Sequence, residues 1–165
     1  MMPVQLIGID PGLVHTGCVS ITLYPDRGAI RLRSHAVAGL NVKHVQDWVL
    51  ATRALQGDLP CSVFIEAYRP RSHFDSDAAM GAAVKEMKQA LPGSQTLLNT
   101  GVKKIVTPEL MKAMNIWSFS QRTNHQDLRS AARIAVYGGL KDPEINSVIT
   151  KLVIDHLDGN TWKEI

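Results

Sequence analysis

The stretch Val4-Gln5-Leu6-Ile7-Gly8-Ile9-Asp10-Pro11-Gly12 constrains the fold of this chain more than any other. Val4 to Ile9 is nearly continuous in apolar residues and β-branched at several of them, which predicts a strand buried on both faces of a sheet. Pro11 lacks an N–H donor and fixes φ, and Gly12 permits a sharp reversal, so the strand stops there. It stops on a carboxylate. Burying a charge at the end of a central strand is costly unless a partner or a cation compensates it. Asp10 therefore reads either as an Asp-Pro-Gly turn residue or as the first ligand of a metal site.

The rest of the chain supplies the neighbours of that strand. Thr16 to Leu23 and Ala29 to Val37 alternate apolar and polar side chains around the turn Tyr24-Pro-Asp-Arg-Gly28, which predicts an antiparallel meander. Asn41 to Leu55 has helical spacing, with Asn41 as its N-cap. Cys61 to Ile65 is a second buried strand, and it too ends on an acid, Glu66. After the basic loop Tyr68 to Phe74 come a helix over Asp75 to Leu91 and a short strand over Val102 to Val106. Thr107-Pro108 opens a further helix, with Pro tolerated at its first position. Ile116 to Phe119 reads as a packed turn, and helices follow over Thr123 to Val136 and Pro143 to Leu157. A meander followed by alternating strands and helices indicates a mixed sheet covered on both faces.

At 165 residues and 45% hydrophobic, the sequence suits one domain spanning 1–165. A net charge of +3 permits a polyanionic partner without requiring one. Cys18 and Cys61 match neither a CxxC nor a zinc spacing and read as buried thiols of a reducing compartment. No run approaches the roughly 18 to 20 apolar residues of a spanning helix, and no signal peptide is evident, so a cytoplasmic protein is expected.

Parallel central strands would bring Asp10 and Glu66 side by side. Two such carboxylates repel unless a divalent cation lies between them, and magnesium suits the task because water and phosphate oxygens fill its remaining positions. Asp127 shares a helix face with Ala131 and Ile134, at i, i+4 and i+7, which aims it at the sheet. It also stands at the N3 position of a helix capped by Asn124, where a carboxylate is favoured for local reasons. His125 reads equally as an exposed first-turn residue or as a ligand or general base. The small-residue run Ala78-Ala-Met-Gly-Ala-Ala83 fits either a partner helix or the chain's own sheet.

These residues resemble the RuvC-type Holliday-junction resolvases of the ribonuclease H-like superfamily, above all the short phage-borne members. The resemblance rests on Ile7-Gly8-Ile9-Asp10-Pro11-Gly12 with Thr16-Gly17, on Val63-Phe-Ile-Glu66, and on Asp127-Leu-Arg-Ser130-Ala131-Ala132-Arg-Ile134-Ala135. It implies a five-stranded mixed sheet, a homodimer, and Mg2+-dependent hydrolysis of DNA phosphodiesters at a four-way junction, with Mn2+ able to substitute. Asp10 and Glu66 match the family's first two acids, and Asp127 the first acid of its C-terminal helix. Ser130 stands where a final Asp is common, so either Asp127 with His125 completes the site or one metal is held more weakly. By the same resemblance Lys112 aligns with a basic DNA contact, and Tyr68 or Phe74 with an aromatic that stacks on bases. Arg69, Arg71, Lys103, Lys104, Arg122 and Arg129 fall near the expected rim, where they would neutralise phosphates. Cleavage of flaps, forks or single strands is the alternative within the same chemistry, and a non-catalytic junction-binding protein is another. Sugar kinases and chaperone ATPases also open on a strand, an acid and a glycine turn, but they need two such domains.

Overall fold

The computed structural model describes residues 1–67, 75–120 and 123–165. Strand β1 (Val4–Asp10) is buried along its whole length, as its unbroken apolar run requires. It pairs antiparallel with β2 (His15–Tyr24), which pairs antiparallel with β3 (Ala29–Ala38), completing the meander. Helix α1 (Val42–Ala54) follows, its N-terminus capped by Asn41, whose side-chain oxygen accepts from the His44 N–H at 3.0 Å. Strand β4 (Cys61–Ala67) then inserts parallel to β1, with Ile9 opposite Ile65.

Helix α2 (Asp75–Ala90) leads to β5 (Gln95–Leu98), parallel to β4, and to the short helices α3 (Val102–Ile105) and α4 (Pro108–Ala113). Helices α5 (His125–Leu140) and α6 (Pro143–Leu157) precede a two-residue strand β6 (Lys163–Glu164), which lies parallel to β3. The sheet has six strands in the order β5-β4-β1-β2-β3-β6.

Two of these elements correct the sequence reading. Val102 to Val106 is helical: Val102 and Val106 are buried while Lys103, Lys104 and Ile105 between them are exposed, the spacing of one helical turn. The strand beside β4 is instead Gln95–Leu98, too short and too evenly half-exposed to show alternation. The sixth strand is held by Trp162, which is buried and donates its indole N–H to Asp155 at 2.8 Å. Helix α5 also runs past Val136 through Gly138-Gly139. A side chain at Gly138 would strike the Phe64 ring of β4, so here glycine serves close packing rather than helix termination.

The two faces of β1 feed separate cores. Leu6 joins Val19, Ile21 and Phe64 beneath α5, represented by Leu128, Ala131 and Ala135. Ile7 and Ile9 join Cys18, Val63 and Ile65 beneath Val45 and Val49 of α1 and Met87 of α2. Of the small-residue run on α2, Ala83 is buried whereas Ala78, Ala79, Gly81 and Ala82 face outward. Among the described residues no helix is long and apolar enough to cross a membrane. Cys18 is a buried free thiol, and burial followed by the nearby Asp10 charge pushes its pKa up to about 12.

Candidate active site

Side chains alternate along a strand, so Asp10 shares the face of Leu6 and Gly8, and Glu66 shares that of Phe64. Both acids therefore point toward α5. Their strands are parallel neighbours with Ile9 opposite Ile65, which makes Asp10 and Glu66 the next residues along each strand. Adjacent strands lie about 4.8 Å apart, so the two carboxylates emerge side by side. Each residue is only 7% exposed.

The turn after Asp10 is held by Thr16, whose hydroxyl donates to the Gly39 carbonyl at 2.7 Å and accepts from the Gly12 N–H at 3.4 Å. Thr16 thus fixes the loop at the end of β1. Gly17 is the antiparallel partner of Asp10, and a side chain there would meet the backbone oxygen of Asp127 at 2.5 Å. The first turn of α5 consequently rests on the β1–β2 ladder at the level of Asp10. Further along, a side chain at Gly8 would lie 1.9 Å from the Ala131 oxygen and 3.0 Å from the Ala135 Cβ. Glycine at two positions spaced along the ladder lets α5 approach the sheet backbone to backbone.

Asp127 is half-buried on this face of α5, in line with buried Ala131 and Ile134. The cap predicted from Asn124 differs in form. Asn124 adopts a left-handed conformation with φ 64° and makes no side-chain bond to the helix; its amide donates to the Thr123 hydroxyl at 3.2 Å. The capping box is therefore not what orients Asp127; the seat on Gly17 does. His125 is half-buried with its ring tilted against Phe119, centroids 6.2 Å apart.

Beside Glu66 opens a cavity of about 230 Å³, lined by Asn99, Lys103, Lys104, Ser130 and Arg133 among others. Ser130 and Arg133 are one turn apart on α5, which places both over the end of β4. Burial lowers the pKa of the Arg133 guanidinium, the Glu66 charge opposes that, and Arg129 adds to it. Arg133 also donates to the Val106 carbonyl at 3.3 Å. Sequence reasoning missed Arg133; its spacing of three from Ser130 was the available signal.

A second basic group surrounds Trp117. Arg129 donates to the Trp117 carbonyl at 2.7 Å and lies 4.1 Å from the ring centroid, while the Lys112 ammonium stands 5.3 Å from the same ring. Two of the cations expected to meet DNA, Lys112 and Arg129, thus share one aromatic platform that the sequence did not single out. Tyr68, Arg69, Arg71, Phe74 and Arg122 lie outside the described residues.

Among the described residues no three His, Cys, Asp or Glu side chains stand together as a ready ligand cluster. Asp10 and Glu66 are a pair of buried carboxylates that could hold a cation, with Asp127 on the covering helix outside any three-acid cluster. Hard oxygen ligands in that number suit Mg2+, which uses one or two carboxylates and completes its octahedron with water and phosphate.

No protein-family model matches the chain, and no curated protein does. Among solved structures, RuvC of Thermus thermophilus matches with a TM-score of 0.55 and 19% identity over 82% of this chain and 92% of that one. The same protein in complex with a Holliday-junction substrate matches with a TM-score of 0.52, again at 19% identity, over 82% and 92% of the two chains. The chain shares the ribonuclease H-like fold of RuvC, as the resemblance in its sequence implied.

Proposed function

We propose that this chain is a magnesium-dependent, structure-selective DNA endonuclease that resolves four-way junctions by paired phosphodiester hydrolysis. The observation that carries the reading is the pair of buried acids, Asp10 and Glu66, side by side on parallel strand ends and facing the start of α5. The shared fold with RuvC, one of whose structures holds a Holliday junction, supports the substrate class.

Asp10 and Glu66 would hold the cation, with Asp127 as the third oxygen donor. Bound there, one or two Mg2+ ions supply an activated water and stabilisation of the leaving 3′ oxygen. Around them the chain contributes charge and position. Lys103, Lys104 and Arg133 neutralise the phosphate entering beside Glu66, and Ser130 offers a hydroxyl on the same wall. Lys112 and Arg129, gathered on Trp117, hold the flanking backbone, and Tyr68, Arg69, Arg71 and Phe74 are assigned DNA contacts by the sequence resemblance alone. His125, at the first turn of α5, relays the proton. Paired incision needs two copies, and the outward face of Ala78, Ala79, Gly81 and Ala82 on α2 is where a second copy would pack closely. Sedimentation equilibrium should then give twice the 18.1 kDa chain mass.

The deciding experiment compares cleavage of a four-way junction, a flap, a fork and a plain duplex in Mg2+. Symmetric paired cuts in the junction and little cutting of the duplex are expected. Equal cutting of the duplex would leave a general nuclease.

Arg133→Gln should weaken junction binding about equally across sequences and reduce the slope of log affinity against log salt by about one. Arg133→Lys should restore the slope. An unchanged slope in the glutamine variant would remove Arg133 from the phosphate contacts.

A further inference from the structure

On the opposite face of the sheet stands a pair of histidines that the nuclease site does not use. His35 lies on β3 opposite Cys18, so it faces α1 rather than α5. His44 is in the first turn of α1. Their Nε2 atoms are 3.4 Å apart, with ring centroids at 5.2 Å.

That separation is long for a hydrogen bond, since N–H donors usually sit about 2.9–3.0 Å from their acceptors. It is the right bite for a metal. Two imidazole nitrogens about 2.05 Å from one ion at the tetrahedral angle lie about 3.3–3.4 Å apart, whereas cis positions of an octahedron at that bond length would bring them to about 2.9 Å.

The His35 ring and the His44 backbone are held in place before any ion arrives. His35 is fixed by the strand ladder and stacked on Trp48 at 6.5 Å with 12° between planes. The backbone of His44 is pinned by its bond to the Asn41 cap at 3.0 Å. The neighbouring ammonium of Lys43 is engaged by Asp47 at 2.6 Å, which keeps that cation partly neutralised.

We infer that His35 and His44 form a two-imidazole site for a borderline divalent transition ion such as Zn2+ or Co2+, with water in the two outward positions. Imidazole nitrogens select such ions over Mg2+, so this site and the carboxylate site take different metals.

The test uses the full chain with Asp10→Asn and Glu66→Gln, which removes the carboxylate site as a competing ligand. Isothermal titration with Zn2+ should give one ion per chain, and Co2+ should develop the intense visible absorption of tetrahedral coordination. Adding His44→Ala, or His35→Gln, should weaken zinc binding at least tenfold and abolish that absorption. Excess Mg2+ should not displace the ion. In the otherwise natural chain, His44→Ala should leave Mg2+-dependent cleavage and the metal-free melting temperature unchanged. The inference is overturned if the doubly substituted background binds no zinc at micromolar concentration, or if both histidine variants bind it as before. Because the nuclease acids are absent from the background, failure here says nothing against the nuclease reading, and loss of nuclease activity says nothing against this site.

Discussion

Asp10→Asn and Glu66→Gln should bind a labelled four-way junction as the natural chain does and should cleave it about a thousandfold more slowly or worse in Mg2+. A factor of that size corresponds to about 4 kcal/mol of transition-state stabilisation. Each substitution keeps the shape of a buried side chain and removes the charge that would hold the cation. Lys103, Lys104 and Arg133 line the cavity at other positions and keep their charge in both variants, so affinity for DNA should persist. Gel-shift titration in Ca2+ paired with single-turnover cleavage in Mg2+ separates the two effects. If both variants cut at the parental rate, the carboxylate pair is not the metal site. Asp127→Ala and His125→Ala, assayed across Mg2+ and Mn2+ concentrations, then rank the contributions from α5. A loss of Asp127 that high metal rescues marks a ligand, whereas loss in the histidine variant alone transfers that role to His125.

Gly8→Ala should be among the most destabilising single methyl additions the chain can receive. Its Cβ would lie 1.9 Å from the backbone oxygen of Ala131, and neither β1 nor α5 can yield without separating the buried face between them. Overpacking of this kind costs roughly 3 kcal/mol or more. For a chain of this size that lowers the melting temperature by roughly 6–12 °C. Gly81→Ala, melted at a concentration where the chain is a monomer, is the matched control, because nothing in the chain lies within 4 Å of the Cβ it would add on the exposed face of α2. There the methyl group should raise helix stability by up to about 1 kcal/mol. Gly17→Ala occupies the ground between, since it pushes on the Asp127 backbone and so should cost cleavage more than stability. Equal melting of Gly8→Ala and the natural chain would mean that α5 does not sit on the sheet as closely as its glycines imply.

Those glycines also mark where sequence reasoning reached its limit. Buried strands, meander and long helices are visible as periodicity because burial acts on every residue of an element at once. Val102 to Val106 misled because five residues cannot distinguish one helical turn from a short strand when both ends are valine. Gln95–Leu98 and Lys163–Glu164 escaped because edge strands of four and two residues owe their existence to a partner's open hydrogen bonds rather than to their own pattern. The helix expected to end at Val136 continues through Gly138-Gly139, which lie against Phe64 and Leu6, a contact no local pattern announces.

By itself the sequence determined that two central strands end on acids and that a helix carries a third on its apolar face, because strand and helix periods are local properties. Only the tertiary structure decided that Asp10 and Glu66 are next along paired parallel strands, that Asp127 rides on Gly17, and that Arg133 closes the cavity beside Glu66. Register and helix docking are set by which side chains fit between distant segments, and that information exists only once those segments meet.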